Sequence, residues 1–511
     1  MLLWVRKRLT LALLALSIPA LTQETACGLN SVVDFENLGR MRAGFLPFLA
    51  LACAGLTNAQ PPAADLAGDW LGTLGSGAEK LRLKLHVIKT YDGLYLGKLL
   101  SIDQGDGAIP VGRVVVEGRS VALELPVISG RFKGELSPNG STLAGKWTQG
   151  ETHPLTFKRS GPAPAEPRKE ASPPSSSDAT VDAVVPARPI PFRGADGQSH
   201  LIYELHITNF SRGELRLRRI EVLGDRGPIA SFEGRELLDI LELVGIDAYD
   251  TRAVGPGLRA VAFLSVPLAD DLAPANLRHR LIFAGATLDL APVSLQGSKP
   301  IVIGPPLAGS DWLAMNGPDS RSEHRRALVA PGGHLVAPQR FAIDWFQLKT
   351  ADSRFTGDSK RNGNYKAYGA DVLAVADAAV AQLKDGIADN TPGEDSDGAL
   401  IADDAELGNY VILDLGGGNY CLYAHLQPAS LRVKAGDRVK RGQTLGLLGN
   451  SGSSTEPHLH FQVMNGTSLL DPEGVPYLID SFELLSGRNA GRQTDALPME
   501  NMRVKFGPVV R

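Results

Sequence analysis

Apolar residues recur at every second position from about Leu66 to Ser160, as at Leu81, Leu83, Leu85 and Val87, and again at Val121, Leu123 and Leu125. A period of two places one face of a segment in a core and the other in water, so the pattern predicts antiparallel strands joined by tight turns such as Pro138-Asn139-Gly140. Similar aromatic signals, Gly68-Asp69-Trp70 and Gly145-Lys146-Trp147, open and close this stretch. The expectation over residues 60–160 is a small β-barrel or sandwich whose tryptophans plug the core.

From residue 161 to 188 the chain is rich in Pro, Ala, Ser and charge, with little to bury, and reads as a linker. Alternation resumes at Leu201-Ile202-Tyr203-Glu204-Leu205-His206-Ile207 and runs through Val261-Ala262-Phe263-Leu264 to His279-Arg280-Leu281-Ile282-Phe283. An immunoglobulin-like β-sandwich over 189–304 fits this spacing. His200, His206 and His279 are dispersed singly along it, which favours structural or surface roles over metal binding. Residues 305–485 are again strand-rich, with glycine turns between Val372-Leu373-Ala374-Val375, Tyr410-Val411-Ile412-Leu413 and the Val433–Gln443 run, and residues 486–511 read as a tail. The fold class expected is therefore all-β and multidomain.

Composition narrows the partners. A chain of 511 residues exceeds one ordinary core, and about 150 residues per domain suggests about three. A formal charge of -4 provides no basic field for a nucleic-acid backbone, so nucleic acid is excluded as a first reading. Two export-type segments lie in residues 1–59: Arg6-Lys7-Arg8 before the apolar run Leu9–Leu21, and Met41-Arg42 before Phe45–Leu56, the second ending in Thr57-Asn58-Ala59. Met41 is the preferred start, and simple cleavage is preferred to a lipid anchor at Cys53, because Ala50 stands where leucine is usual. Cleavage after Ala59 leaves Cys421 alone, so no disulfide is expected. The expected location is exported, periplasmic or associated with the cell envelope.

The chemistry concentrates in Pro457-His458-Leu459-His460-Phe461, where two imidazoles two residues apart on a strand face the same side. Tyr423-Ala424-His425-Leu426 offers a third from a pool of ten histidines, which points to a metal or acid–base centre. With Phe341-Ala342-Ile343-Asp344 and the Val433–Gln443 run, these segments occur in the order seen in lysostaphin-type (LytM-like) zinc metallopeptidases, which the last third of the chain resembles. The resemblance implies a β-sheet groove, one zinc ion, and hydrolysis of peptide cross-bridges or stems in peptidoglycan. Carried over residue by residue, it implies Asp344 and His460 as metal ligands, and His425 and His458 as the pair flanking the water that the metal activates. Zinc suits that task by polarising a carbonyl and lowering the pKa of water toward about 7.

One position departs from the family pattern. A histidine is expected four residues before the aspartate, and Arg340 stands there, with no lone pair to offer a metal. His334 and His324, in the preceding segment, are candidate substitutes, although surface or loop-ordering roles account for each. Arg340 could instead pair with Asp344, turning the cleft into a non-catalytic groove that binds peptidoglycan or regulates another cell-wall hydrolase. The two N-terminal β modules would then serve as contacts to other cell-envelope proteins. A biotinyl- or lipoyl-carrier reading of Val433–Gln443 lacks a lysine at the hairpin tip. The acids between Asp385 and Glu406, including Asp395, Asp397, Asp403 and Asp404, lack EF-hand spacing and read as a solvated rim loop.

Overall fold

The computed structural model describes residues 65–75, 80–104, 107–161, 180–269, 273–297, 299–394, 406–468 and 472–508. The export-type segments, Cys53, most of the expected linker and Asp395, Asp397, Asp403 and Asp404 lie outside the described residues. The described chain is almost entirely β, and none of its helices is long and apolar enough to cross a membrane.

The first unit is a nine-stranded antiparallel sheet spanning Gly68 to Arg159. Its first strand, Gly68–Leu74, pairs on one side with Leu81–Lys89 and on the other with the last strand, Glu151–Arg159, which rolls the sheet into a barrel-like form. Leu83, Leu85, Val87, Val121, Leu123 and Leu125 line its interior with Trp70 and Trp147, as their period of two requires.

In the second unit, two sheets face each other across one core, with Leu201, Tyr203, Leu205 and Ile207 of strand Ser199–Asn209 inside it. Val181–Val184, expected to be linker, is an edge strand of this sandwich: Val181 pairs with Asn209 and Ala183 with Ile207, and both pack against its core. The alternate residues of Ser199–Asn209 are buried as well, and Ile202 joins the core of the C-terminal sheet.

That sheet has eleven strands between Ile301 and Phe506. Residues 486–511, expected as a tail, contribute Gly491–Ala496 and Arg503–Phe506, because Ala496, Val504 and Phe506 complete the core. The Val433–Gln443 run is part of the same body: Arg438–Val439 pairs with Ala378–Lys384, and Val439 is buried.

His206 and His279 are buried in the sandwich unit, and burial pushes both imidazoles down to about 4. The native state then stays neutral while the unfolded chain, titrating near 6.5, takes up protons, so stability falls with pH from about 6.5 to about 4. Between pH 7 and pH 5 the loss is expected to be about 2 kcal/mol per histidine. Urea midpoints at the two pH values test this, and His206→Gln should reduce the difference.

Candidate functional site

Three adjacent strands, Ile343–Gln347, Leu459–Met464 and Asn419–Leu426, form the floor of the site. Their register sets Asp344 opposite His460, and His460 opposite Ala424. Directly opposed residues share a face, so Asp344 and His460 project together while Ile343, Trp345, Phe461 and Tyr423 fill the core behind them. His458, two residues before His460, lies on the same side, with Nε2 3.5 Å from Asp344 Oδ1.

His425 reaches this face by a different route. Val411 pairs with Tyr423 and Asn409 with Leu426, so Ala424 and His425 together stand against the single residue Tyr410. This β-bulge re-aims His425, which simple alternation would send into the core with Tyr423. Its φ is +62°, a left-handed conformation that is unusual for a residue with a Cβ. Hydrogen bonds from His425 N–H to Leu407 O and from Gly449 N–H to His425 O hold it there. The rings of His425 and His458 are 4.8 Å apart, and the other face of His458 stacks on Phe346.

The third member of a cluster that could hold a metal ion comes from outside the floor. His324, on the short helix Glu323–Arg326, places Nε2 3.3 Å from Asp344 Oδ2, and His460 Nδ1 is 3.1 Å from Asp344 Oδ1. The ligand atoms of His324, Asp344 and His460 all lie within 4.8 Å of one another. His334 is exposed on its loop and does not join them.

Hydrogen bonds fix which nitrogen of each ring faces the cleft. His324 Nδ1 donates to Asn316 O, His425 Nδ1 to Ser451 O, and His458 Nδ1 to Glu456 O. His460 Nε2 donates to Gln462 Oε1, and the Gln462 amide is oriented by its own donation to Pro338 O. A neutral imidazole donates through one nitrogen and accepts through the other. Each ring therefore turns a lone pair inward, and those of His324 and His460 meet the two oxygens of Asp344. Lone pairs opposed to a carboxylate need a positive charge between them, supplied either by a proton on the ring or by a metal ion. Two nitrogens and one carboxylate oxygen, with the tautomers locked from behind, fit zinc with one coordination position left open.

In the absence of a metal, positive charge on the rings fills that role: burial opposes the Asp344 charge, yet His324 and His458 outweigh it and hold the carboxyl well below the usual range, and Asp344 in turn, against burial, raises His324. Burial also favours neutral rings at His425 and His460, both held below the ordinary imidazole value. Asn316 Nδ2 donates to Asp344 Oδ2 and fixes the carboxylate's orientation. The Gly449–Gly452 run is a close-packed seat for the His425 acceptor: a Cβ on Gly452, whose φ is +73°, would meet Gly408 N at 2.2 Å.

Arg340 does not enter the cleft. Its guanidinium is buried on Glu204 and Glu473, at 2.6 Å from each, and also donates to Gly474 O. The pairing of Arg340 with Asp344 considered from sequence is thus corrected: two other carboxylates, one from the sandwich, hold it. Sequence reasoning missed Asn316, Gln462 and Glu204. Gln462 had a signal, since it continues the period of two from His458 and His460.

Residues 365–472 match peptidase family M23, a stretch that includes His425, His458 and His460 but begins after His324, Arg340 and Asp344. The chain is 44% identical over 57 residues to the peptidoglycan DD-endopeptidase ShyA of Vibrio cholerae, covering 11% of this chain and 13% of that protein. It is 53% identical over 45 residues to the glycyl-glycine endopeptidase ALE-1 of Staphylococcus capitis, covering 9% and 12%. Among solved structures, the catalytic domain of lysostaphin from Staphylococcus simulans is 28% identical, covering 22% of this chain and 77% of that one, with a TM-score of 0.16. The chain spans 13% of the length of ShyA and 12% of that of ALE-1. The C-terminal part of this chain therefore carries a peptidase family M23 domain, at residues 365–472, and short stretches of the chain are similar to peptidoglycan and glycyl-glycine endopeptidases.

Proposed function

We propose that the C-terminal groove is a zinc metalloendopeptidase site acting on peptide bonds of peptidoglycan, with His324, Asp344 and His460 as the ligands of one zinc ion. The convergence of His324 Nε2 and His460 Nδ1 on the two oxygens of Asp344 carries this reading. Members of the family are zinc metallopeptidases, and relatives named as peptidoglycan endopeptidases support the substrate class. Such a substrate lies outside the cytoplasmic membrane, in keeping with the export-type segments read in residues 1–59.

Zinc, when bound, polarises the scissile carbonyl and acidifies water. The chain's own groups supply the proton handling. His425 and His458 turn Nε2 into the cleft, each oriented from behind by a backbone carbonyl. One neutral Nε2 can accept the proton of the attacking water; its protonated form can donate to the oxyanion or the leaving amine. A non-catalytic groove loses its main support, because Arg340 is spent on Glu204 and Glu473.

Metal analysis and muropeptide chromatography on the purified protein test the proposal. One zinc per chain and new muropeptides are expected, lost on chelation and restored by zinc; a zinc-loaded protein that leaves muropeptides unchanged is no hydrolase of this substrate. His425→Ala should retain near-stoichiometric zinc and lose about 10²- to 10⁴-fold in kcat.

A further inference from the structure

Strand Ser199–Asn209 sends Tyr203 and Leu205 into the sandwich core and Ile202 into the core of the C-terminal sheet. Glu204, in register with Ile202, is 1% exposed. A buried carboxylate needs partners, and this one has two arginines, one on each oxygen. Arg325 Nε donates to Oε1 at 2.8 Å and Arg340 Nε to Oε2 at 2.6 Å. Arg325 Nη2 also donates to the carbonyls of Tyr203 and Leu264, so its Nε and Nη2 are both seated in the sandwich, while the buried Nη1 has no partner among the described residues.

The two arginines occupy telling places in the chain. Arg325 follows His324 directly, and Arg340 stands four residues before Asp344. Arg326, the next residue of the same short helix, donates to Asp239 O, again in the sandwich. The helix has four residues and no side-chain cap, so its position is not set by its own hydrogen bonds. His460, by contrast, is held by a central strand of the sheet. Of the ligand set, His324 is the one whose placement depends on a body other than that sheet.

We propose that Glu204 is a positioning residue for the metal site: its carboxylate, supplied by the sandwich, sets the spacing between the segments that carry His324 and Asp344. This rests on the zinc reading above and extends it. The sandwich is then part of the metal centre, and the incoming ligand of the peptidase is delivered by its neighbour domain. Groups that orient metal ligands from behind typically change affinity about tenfold to a hundredfold when removed.

The test uses the full chain and zinc itself. Glu204→Gln leaves two buried guanidinium groups short of a partner and can fail to fold, so a second variant, Glu204→Met with Arg325→Met, removes the pair together and leaves Arg340 on Glu473. Zinc affinity is measured by chelator competition, the geometry by the visible spectrum of the cobalt-substituted protein, and folding by the thermal midpoint of the metal-free protein. The expected result is about a tenfold to hundredfold loss of zinc affinity with an altered cobalt spectrum, in a double variant whose metal-free midpoint stays close to the parent's. A folded double variant with the parent's affinity and spectrum overturns this proposal and leaves the zinc reading standing. A parent that takes up no zinc overturns both.

Discussion

Replacing His324 with alanine is expected to lower zinc affinity by at least about a hundredfold and to abolish measurable cleavage of peptidoglycan. The reason lies in the donor set. Asp344 and His460 alone would leave a catalytic zinc one protein ligand short, and His324 Nε2, 3.3 Å from Asp344 Oδ2, completes the cluster with them. Its Nδ1 is committed to Asn316 O, so no other tautomer competes. Two companion variants sharpen the result. His334→Ala, on an exposed loop, should bind zinc as the parent does. Arg340→His should not gain a site and should not rescue His324→Ala, because position 340 faces Glu204 and Glu473 rather than Asp344. Zinc retained in His324→Ala, or restored by Arg340→His, would place the third ligand elsewhere.

The second large effect is on stability. Arg340→Ala should cost about 3–5 kcal/mol, since breaking a buried ion pair leaves its partner charges without compensation. Arg340 is 4% exposed and serves Glu204 and Glu473 at once through different nitrogens of one planar head. Arg340→Lys should recover little of the loss, because a single ammonium lacks the fork that reaches both carboxylates. Urea unfolding followed by tryptophan fluorescence checks this. A midpoint shift worth less than about 1 kcal/mol, the range of exposed pairs, would show the network to be solvated.

Much of the molecule was legible in local patterns. The period of two located the strands, and strand alternation was enough to put His458 and His460 on one face, since side-chain direction in a strand depends on neighbours one and two residues away. Motif order brought His425 and Asp344 into the same reading, and sequence also named His324, though on equal terms with His334.

Three features were decided only by the fold. The bulge at Ala424-His425 turns His425 out of the core, and it exists because Asn409 and Val411 pair across a two-residue gap on a separate strand. His324 rather than His334 joins the cluster: its Nδ1 donates to Asn316 O, and Arg325 and Arg326 beside it bond to the sandwich. Residues 202 and 204, on the face of their strand opposite Tyr203 and Leu205, are buried because a second domain covers them. The sequence by itself determined which residues alternate and which chemistries they carry; which faces are covered, and hence which histidine comes to stand beside Asp344 and His460 and where the arginine turns, was settled by packing between segments far apart in the chain, where no local pattern operates.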